Sequence, residues 1–132
     1  GAFFSIDWDT KNEHKGQWVP AGGSGWEKSV CLDMVSKITA AELQSSDPEA
    51  LAERWSVIAG LPLHKDSKQR LEMKLNNASV RFVEATDGRG EGLGGIDLAV
   101  NNLAKVIQNA DDRGLKLSEN QVMICGVRFN LR

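Results

Sequence analysis

Cysteine and histidine are both scarce in this chain of 132 residues, with two of each: Cys31 and Cys125, His14 and His64. Neither cysteine stands in a CxxC or Cys/His spacing, which argues against a disulfide framework and a structural zinc site. Their apolar sequence neighbours suit reduced thiols in a cytoplasmic protein, and Cys125 in "VMICGV" reads as core packing, with no activating base beside it. An excess of one charge is also lacking: the net charge is −2 and Lys and Arg are spread along the chain, so no basic field gathers phosphates and nucleic acid is not an expected partner. No stretch approaches 18 apolar residues and no basic-then-apolar leader opens the chain, so no membrane partner is read either. Apolar residues make up 41% of the whole, enough for the core of one domain or of two half-size modules sharing one.

The chain opens with Gly1 and runs at once into "AFFSIDW", which reads as the last strand of a truncated upstream module. Residues 9–33 are rich in Gly and polar residues and lack a helical or alternating period, so 1–33 is expected to be a strand and an ordered linker, pinned by Trp18 and Trp26. The domain proper is expected over 34–132.

Within it, "SKITAAELQS" has a strand-like pattern and "SDPEALAERWSVIAG" carries helix signals: Asp47 as N-cap, Pro48 at the first position, Gly60 beyond the end. Leu51, Trp55 and Ile58 define a face that should pack on a sheet. "RLEMKLN" and "ASVRFVEA" alternate as two strands joined at Asn76-Asn77. After the glycine-rich "DGRGEGLGG", read as a flexible connection, the order restarts. A strand "GIDLAV" is followed by a helix capped by Asn101 or Asn102 and closed by Gly114, and then by "NQVMICGVRFNLR". Aligning Glu42-Leu43 with Asp97-Leu98 brings Gly60 and Gly114 within one residue of each other, and "VRF" occurs at 80–82 and again at 127–129. The expected fold is therefore α+β, with paired β-α-β-β-β modules forming a curled mixed sheet around a cleft. Module 1 spans about 36–86 and module 2 about 93–132, the second shorter by most of a hairpin.

Side chains alternate along a strand, so the apolar phase goes to the helices and the other phase to the cleft. Ala41, Leu43, Val80, Phe82, Ile96, Leu98, Val100, Val127 and Phe129 take the first. Glu42, Gln44, Arg81, Asp97, Arg128 and Asn130 take the second, with Glu42 and Asp97 as pseudo-equivalent carboxylates. Arg81 and Arg128, with Asn130 and Gln44, suit a polar or anionic small molecule, while Glu42 or Asp97 suits a base or a metal ligand. The competing reading is that the two acids and two arginines form ordinary ion pairs. His64 on a strand edge, and Arg89 and Glu91 at the cleft mouth, are weaker candidates.

"ITAAELQSSDPEALAERWSVIAGLPL" and "GLGGIDLAV" resemble the opening strand and helix of the first module, and the opening strand of the second, in the vicinal oxygen chelate superfamily of glyoxalases, bleomycin-resistance proteins and extradiol dioxygenases. "FFSIDW" and "HKGQWVPAGG" are similar to features of its glyoxalase-like proteins. The resemblance covers most of the chain beyond residue 34. It implies a divalent metal chelated by His, Glu or Gln from the first and last strands of each module. The matching positions here are Ala40, Val83, Gly95 and Asn130, of which only the asparagine offers an oxygen. Glu42 and Asp97, two residues farther along their strands, are the available substitutes, and such hard oxygens favour magnesium or manganese over zinc.

Three functions follow as expectations. One is a lyase, isomerase or oxygenase acting on a small oxygenated substrate. Another is a metal-free binding or sequestration protein of the bleomycin-resistance type, and the third is a structural module of a larger protein. Exposed sheet edges also suit a homodimer.

Overall fold

Eight strands and two helices make up the core of the protein in a computed structural model, which describes residues 23–132. A 3-10 helix, Gly23–Ser29, leads into β1 (Val35–Ser45), α1 (Pro48–Ala59), β2 (Leu63–Lys65), β3 (Leu71–Lys74) and β4 (Ser79–Glu84). The same order then recurs as β5 (Gly92–Val100), α2 (Leu103–Asp111), β6 (Lys116–Ser118), β7 (Gln121–Ile124) and β8 (Val127–Leu131). His14, Trp18 and the expected N-terminal strand lie outside the described residues. Trp26, on the 3-10 helix, is exposed.

Local chemistry sets the helix ends. Asp47 accepts a hydrogen bond from the Ala50 N–H, and Pro48 needs no donor partner at the first position. Gly60 then adopts φ 65°, so that the Leu61 N–H reaches back to the Ser56 carbonyl. In the second half Asn102, rather than Asn101, caps by accepting from the Lys105 N–H. Gly114 at φ 67° lets the Leu115 N–H close on Ala110.

The strands form one open mixed sheet in the order β2-β3-β4-β1-β5-β8-β7-β6. The crossover through α1 returns β4 parallel to β1, that through α2 returns β8 parallel to β5, and the halves meet along the antiparallel β1–β5 pair. One face of the sheet carries the helices. Under α1, Leu51, Ala52, Met73, Val80 and Phe82 are buried, with Leu43, Trp55 and Ala59 against them. Under α2 the buried set is Ile107, Ala110, Val122 and Leu131, joined by Leu98, Val100 and Phe129.

Three expectations need correction. Ile58 is 52% exposed: the buried stripe of α1 runs through Leu51, Ala52, Trp55 and Ala59, and Ile58, seven residues after Leu51, lies at the outer edge of that stripe. The second half has not lost a hairpin: β7 and β8 pair fully, and the difference is spread over a shorter helix, shorter strands and shorter loops, with residues 119–120 joining β6 to β7 where 66–70 join β2 to β3. Both cysteines are exposed. Cys125 occupies the β7–β8 turn at φ 50°, followed by Gly126 at φ 77°, a pair of positive φ angles that matches the twist of a two-residue hairpin.

Candidate functional site

On the face away from the helices, neighbouring strands line up residues in rows. One row runs Glu72, Arg81, Glu42, Gly95, Arg128, Met123 across β3, β4, β1, β5, β8 and β7. The next runs Lys74, Ser79, Ala40, Asp97, Asn130, Gln121. Above them lies a cavity of about 750 Å³, lined by Glu42, Arg81, Asp97, Arg128 and Asn130, by Asp66 and Arg70 from the β2–β3 loop, and by Arg132.

Arg81 is the centre of the floor. It is 3% exposed and its guanidinium donates to both oxygens of Asp97, at 2.9 and 2.5 Å, and to Glu42 Oε1 at 2.8 Å. Burial works against its charge, but the bonds from Asp97 and Glu42 outweigh this and lift its pKa above the ordinary arginine value. Asp97 also accepts from Asn130 Nδ2 at 2.8 Å and lies 2.6 Å from Arg132 Nη2. Burial opposes its ionisation, yet the bonds from Arg81 and Asn130 and the charges of Arg81 and Arg132 hold its pKa below the usual carboxylate value. Gln121 Nε2 in turn donates to Asn130 Oδ1, which fixes that amide.

Glu42 is held differently. Its Oε1 meets Arg81 at 2.8 Å and Arg70 Nη1 at 3.5 Å, whereas Oε2 lies 3.6 Å from Arg128 Nη2, beyond hydrogen-bond length. Among the described residues the Arg128 guanidinium makes no hydrogen bond, and its side chain is 17% exposed. Gly95 gives Glu42 its place: a Cβ there would stand 2.7 Å from Glu42 Oε2 and 3.2 Å from the Arg128 carbonyl oxygen. Arg70 is anchored by Asp66, whose carboxylate also accepts from the Lys68 and Arg70 backbone N–H groups. Burial raises the Asp66 pKa, but the Arg70 and Lys68 bonds prevail and lower it to about 2.

The two depressed acids set a pH dependence. Both have folded pKa values below the unfolded value of about 3.9, so the stability they contribute is present above that pH and is lost as pH falls through the folded values. Urea midpoints are expected to hold between neutral pH and about pH 5 and to fall steeply below about pH 4, with Asp66→Asn removing part of the fall. A profile that is flat down to about pH 3 would contradict this account.

Of the six residues expected in the cleft, five line the cavity. Gln44 faces the same side but lies beneath the β4–β5 loop, donating to Asp87 Oδ1 at 2.8 Å and to the Gly90 carbonyl at 3.3 Å. Arg89 is tied to Asp87 and Glu91 to Arg54 of α1, so neither covers the cavity, and His64 is exposed on β2. Arg70, Asp66 and Arg132 were missed. The only sequence signal for the first two was an Asp and an Arg four apart in a polar loop.

The pseudo-equivalence of the two acids holds only in part. Glu42 and Asp97 each lie five residues before a helix cap, but Glu42 faces Arg81 across the parallel pair while Arg128 faces Gly95, and Asp97 faces Asn130. The second half is slipped by two residues, a step that keeps every side chain on its face.

A divalent metal does not fit these groups. Among the described residues no three His, Cys, Asp or Glu side chains converge as ligands. Ala40, Val83 and Gly95 offer no donor, and both central carboxylates are engaged by arginine, so a cation would compete with guanidinium charges for each oxygen.

No protein-family model and no curated protein matches the sequence. Solved structures do match. Methylmalonyl-CoA epimerase from Mycobacterium tuberculosis is 12% identical with a TM-score of 0.54, over 77% of this chain and 90% of that one. A variant of the Streptomyces coelicolor epimerase, in complex with 2-nitronate-propionyl-CoA, is 14% identical with a TM-score of 0.52, over 74% and 93%. The 2,2',3-trihydroxybiphenyl 1,2-dioxygenase of Sphingomonas wittichii is 14% identical with a TM-score of 0.52, over 74% of this chain and 40% of that one. The epimerase and the dioxygenase are members of the vicinal oxygen chelate superfamily, and this chain has their fold. At such identities fold carries over and chemistry does not.

Proposed function

We propose that this chain uses the vicinal oxygen chelate fold as a metal-independent binding domain for a small oxygenated anion. The observation that carries the reading is the allocation of charge in the cavity: arginine already engages Glu42 and Asp97, and Arg128 is left with a guanidinium that no carboxylate reaches within hydrogen-bond distance. Guanidinium offers paired donors that match carboxylate and phosphate oxygens, so Arg128 is the anchor. Asn130 and Arg132 stand on the same wall.

Thermal melts discriminate the readings. Malonate or inorganic phosphate is expected to raise the melting temperature saturably in the wild type and not in Arg128→Ala, while magnesium, manganese and zinc have no saturable effect. Stabilisation by one of those metals, abolished in Glu42→Ala, would replace this reading with a metal-dependent one.

One observation favours a second reading, an isomerase-type proton transfer. Glu42 Oε2 accepts no hydrogen bond among the described residues while Oε1 is fixed by Arg81, so the carboxylate is oriented with one oxygen open beside Arg128. Exchange of an α-proton of a bound carboxylate in D2O, lost in Glu42→Gln, would establish it.

A further inference from the structure

We infer that Glu42 occupies the cavity as an internal stand-in for the ligand's own oxyanion, and that the ligand binds by taking Arg70 and Arg128 away from it. This rests on the anion-binding reading above and adds the residues, the place and the competitor. Three guanidiniums converge on the single Glu42 carboxylate. Only Arg81 bonds it well, at 2.8 Å, whereas Arg70 stands at 3.5 Å and Arg128 at 3.6 Å on the other oxygen. Asp97, by contrast, is met by Arg81, Asn130 and Arg132 all within 2.9 Å, so two of the three guanidiniums around Glu42 are held at long range while acceptor capacity on Glu42 goes unused.

The centre of this cluster has spare donor capacity. Arg81 is buried, and its Nε–H finds no acceptor. A buried donor without a partner is costly, so the floor around Glu42 is not satisfied internally. The two arginines held at long range from Glu42 come from opposite halves, Arg70, anchored by Asp66, from the β2–β3 loop and Arg128 from β8, and both line the cavity. A carboxylate or phosphate entering between them gains two charge-assisted bonds for the loss of two contacts already too long to be strong. Glu42 keeps its bond to Arg81 throughout, which leaves the floor intact.

The sign of one substitution separates this from every role in which Glu42 helps the ligand. Glu42→Gln preserves shape and removes the competing charge, so the affinity for malonate or inorganic phosphate, measured by calorimetry, is expected to rise by about tenfold, equivalent to about 1.4 kcal/mol. Arg70→Ala in the Glu42→Gln background is expected to cancel that gain. The Arg81 Nε–H resonance in a nitrogen–proton spectrum is expected to shift on titration with either anion, and a folded spectrum of each variant serves as the control. Affinity unchanged or weakened in Glu42→Gln, or insensitive to Arg70→Ala, would overturn the inference while binding that still required Arg128 left the anion reading standing. Absence of binding in every variant would overturn both.

Discussion

Arg81→Met is expected to cost about 3–5 kcal/mol of unfolding free energy, the cost typical of removing one partner from a buried ion pair. Arg81 donates to Asp97 and Glu42, which are themselves almost wholly buried, so the substitution leaves two carboxylates without their shared cation. Neither can simply move into water. Asp97 keeps Arg132 and Asn130, and Glu42 keeps only its long contacts to Arg70 and Arg128. Urea denaturation gives the loss directly. A triple variant in which Glu42→Gln and Asp97→Asn accompany Arg81→Met should recover much of it, because the penalty belongs to the stranded charges rather than to the missing side chain. An Arg81→Met protein with the wild-type midpoint would show that the floor is held by packing instead.

Phe82→Ala is expected to destabilise the protein by about 3–5 kcal/mol, through lost apolar burial and the cavity left behind. Phe82 is 2% exposed, sits in the cluster under α1, and meets Trp55 edge-on with ring centroids 6.3 Å apart. It adjoins Arg81 on β4, so the helix-facing core and the polar floor share one strand. Loss of the ring should therefore loosen the floor as well, seen as a broadened Arg81 Nε–H resonance. Phe129→Ala, at the half-buried position of the same triplet in β8, should cost less. Equal losses at the two sites would mean that the two cores bear on stability alike.

Much of this architecture could be read from the chain. Asp47, Pro48 and Gly60 bracket a helix by mechanisms that need no tertiary contact, and alternation in "VRF" sends valine and phenylalanine one way and arginine the other wherever the strand lies. Fold class and cleft-facing residues follow from those two rules. Pairing partners do not. That Arg81 would bridge both acids, and that Arg128 would face a glycine, depends on the register of parallel strands brought together across a helix, which no local signal encodes. Gly94 was read with the flexible connection and Gly95 as the start of the strand, whereas β5 begins at Gly92, both glycines are buried in it, and Gly95 admits a carboxylate against the backbone. "ICGV" could have been recognised as a two-residue turn from the glycine between two alternating runs, and that would have placed Cys125 in solvent.

The two-residue slip between the halves has a further consequence. A floor built from two identical modules in identical register would repeat itself after half a turn, and a ligand lying on it could be rotated end for end without change. Here arginine opposes glutamate on one side of the centre and glycine on the other, while aspartate opposes asparagine. The electric field along the floor consequently has a direction, and under the anion-binding proposal it sets which end of an unsymmetrical guest lies towards β4 and which towards β8.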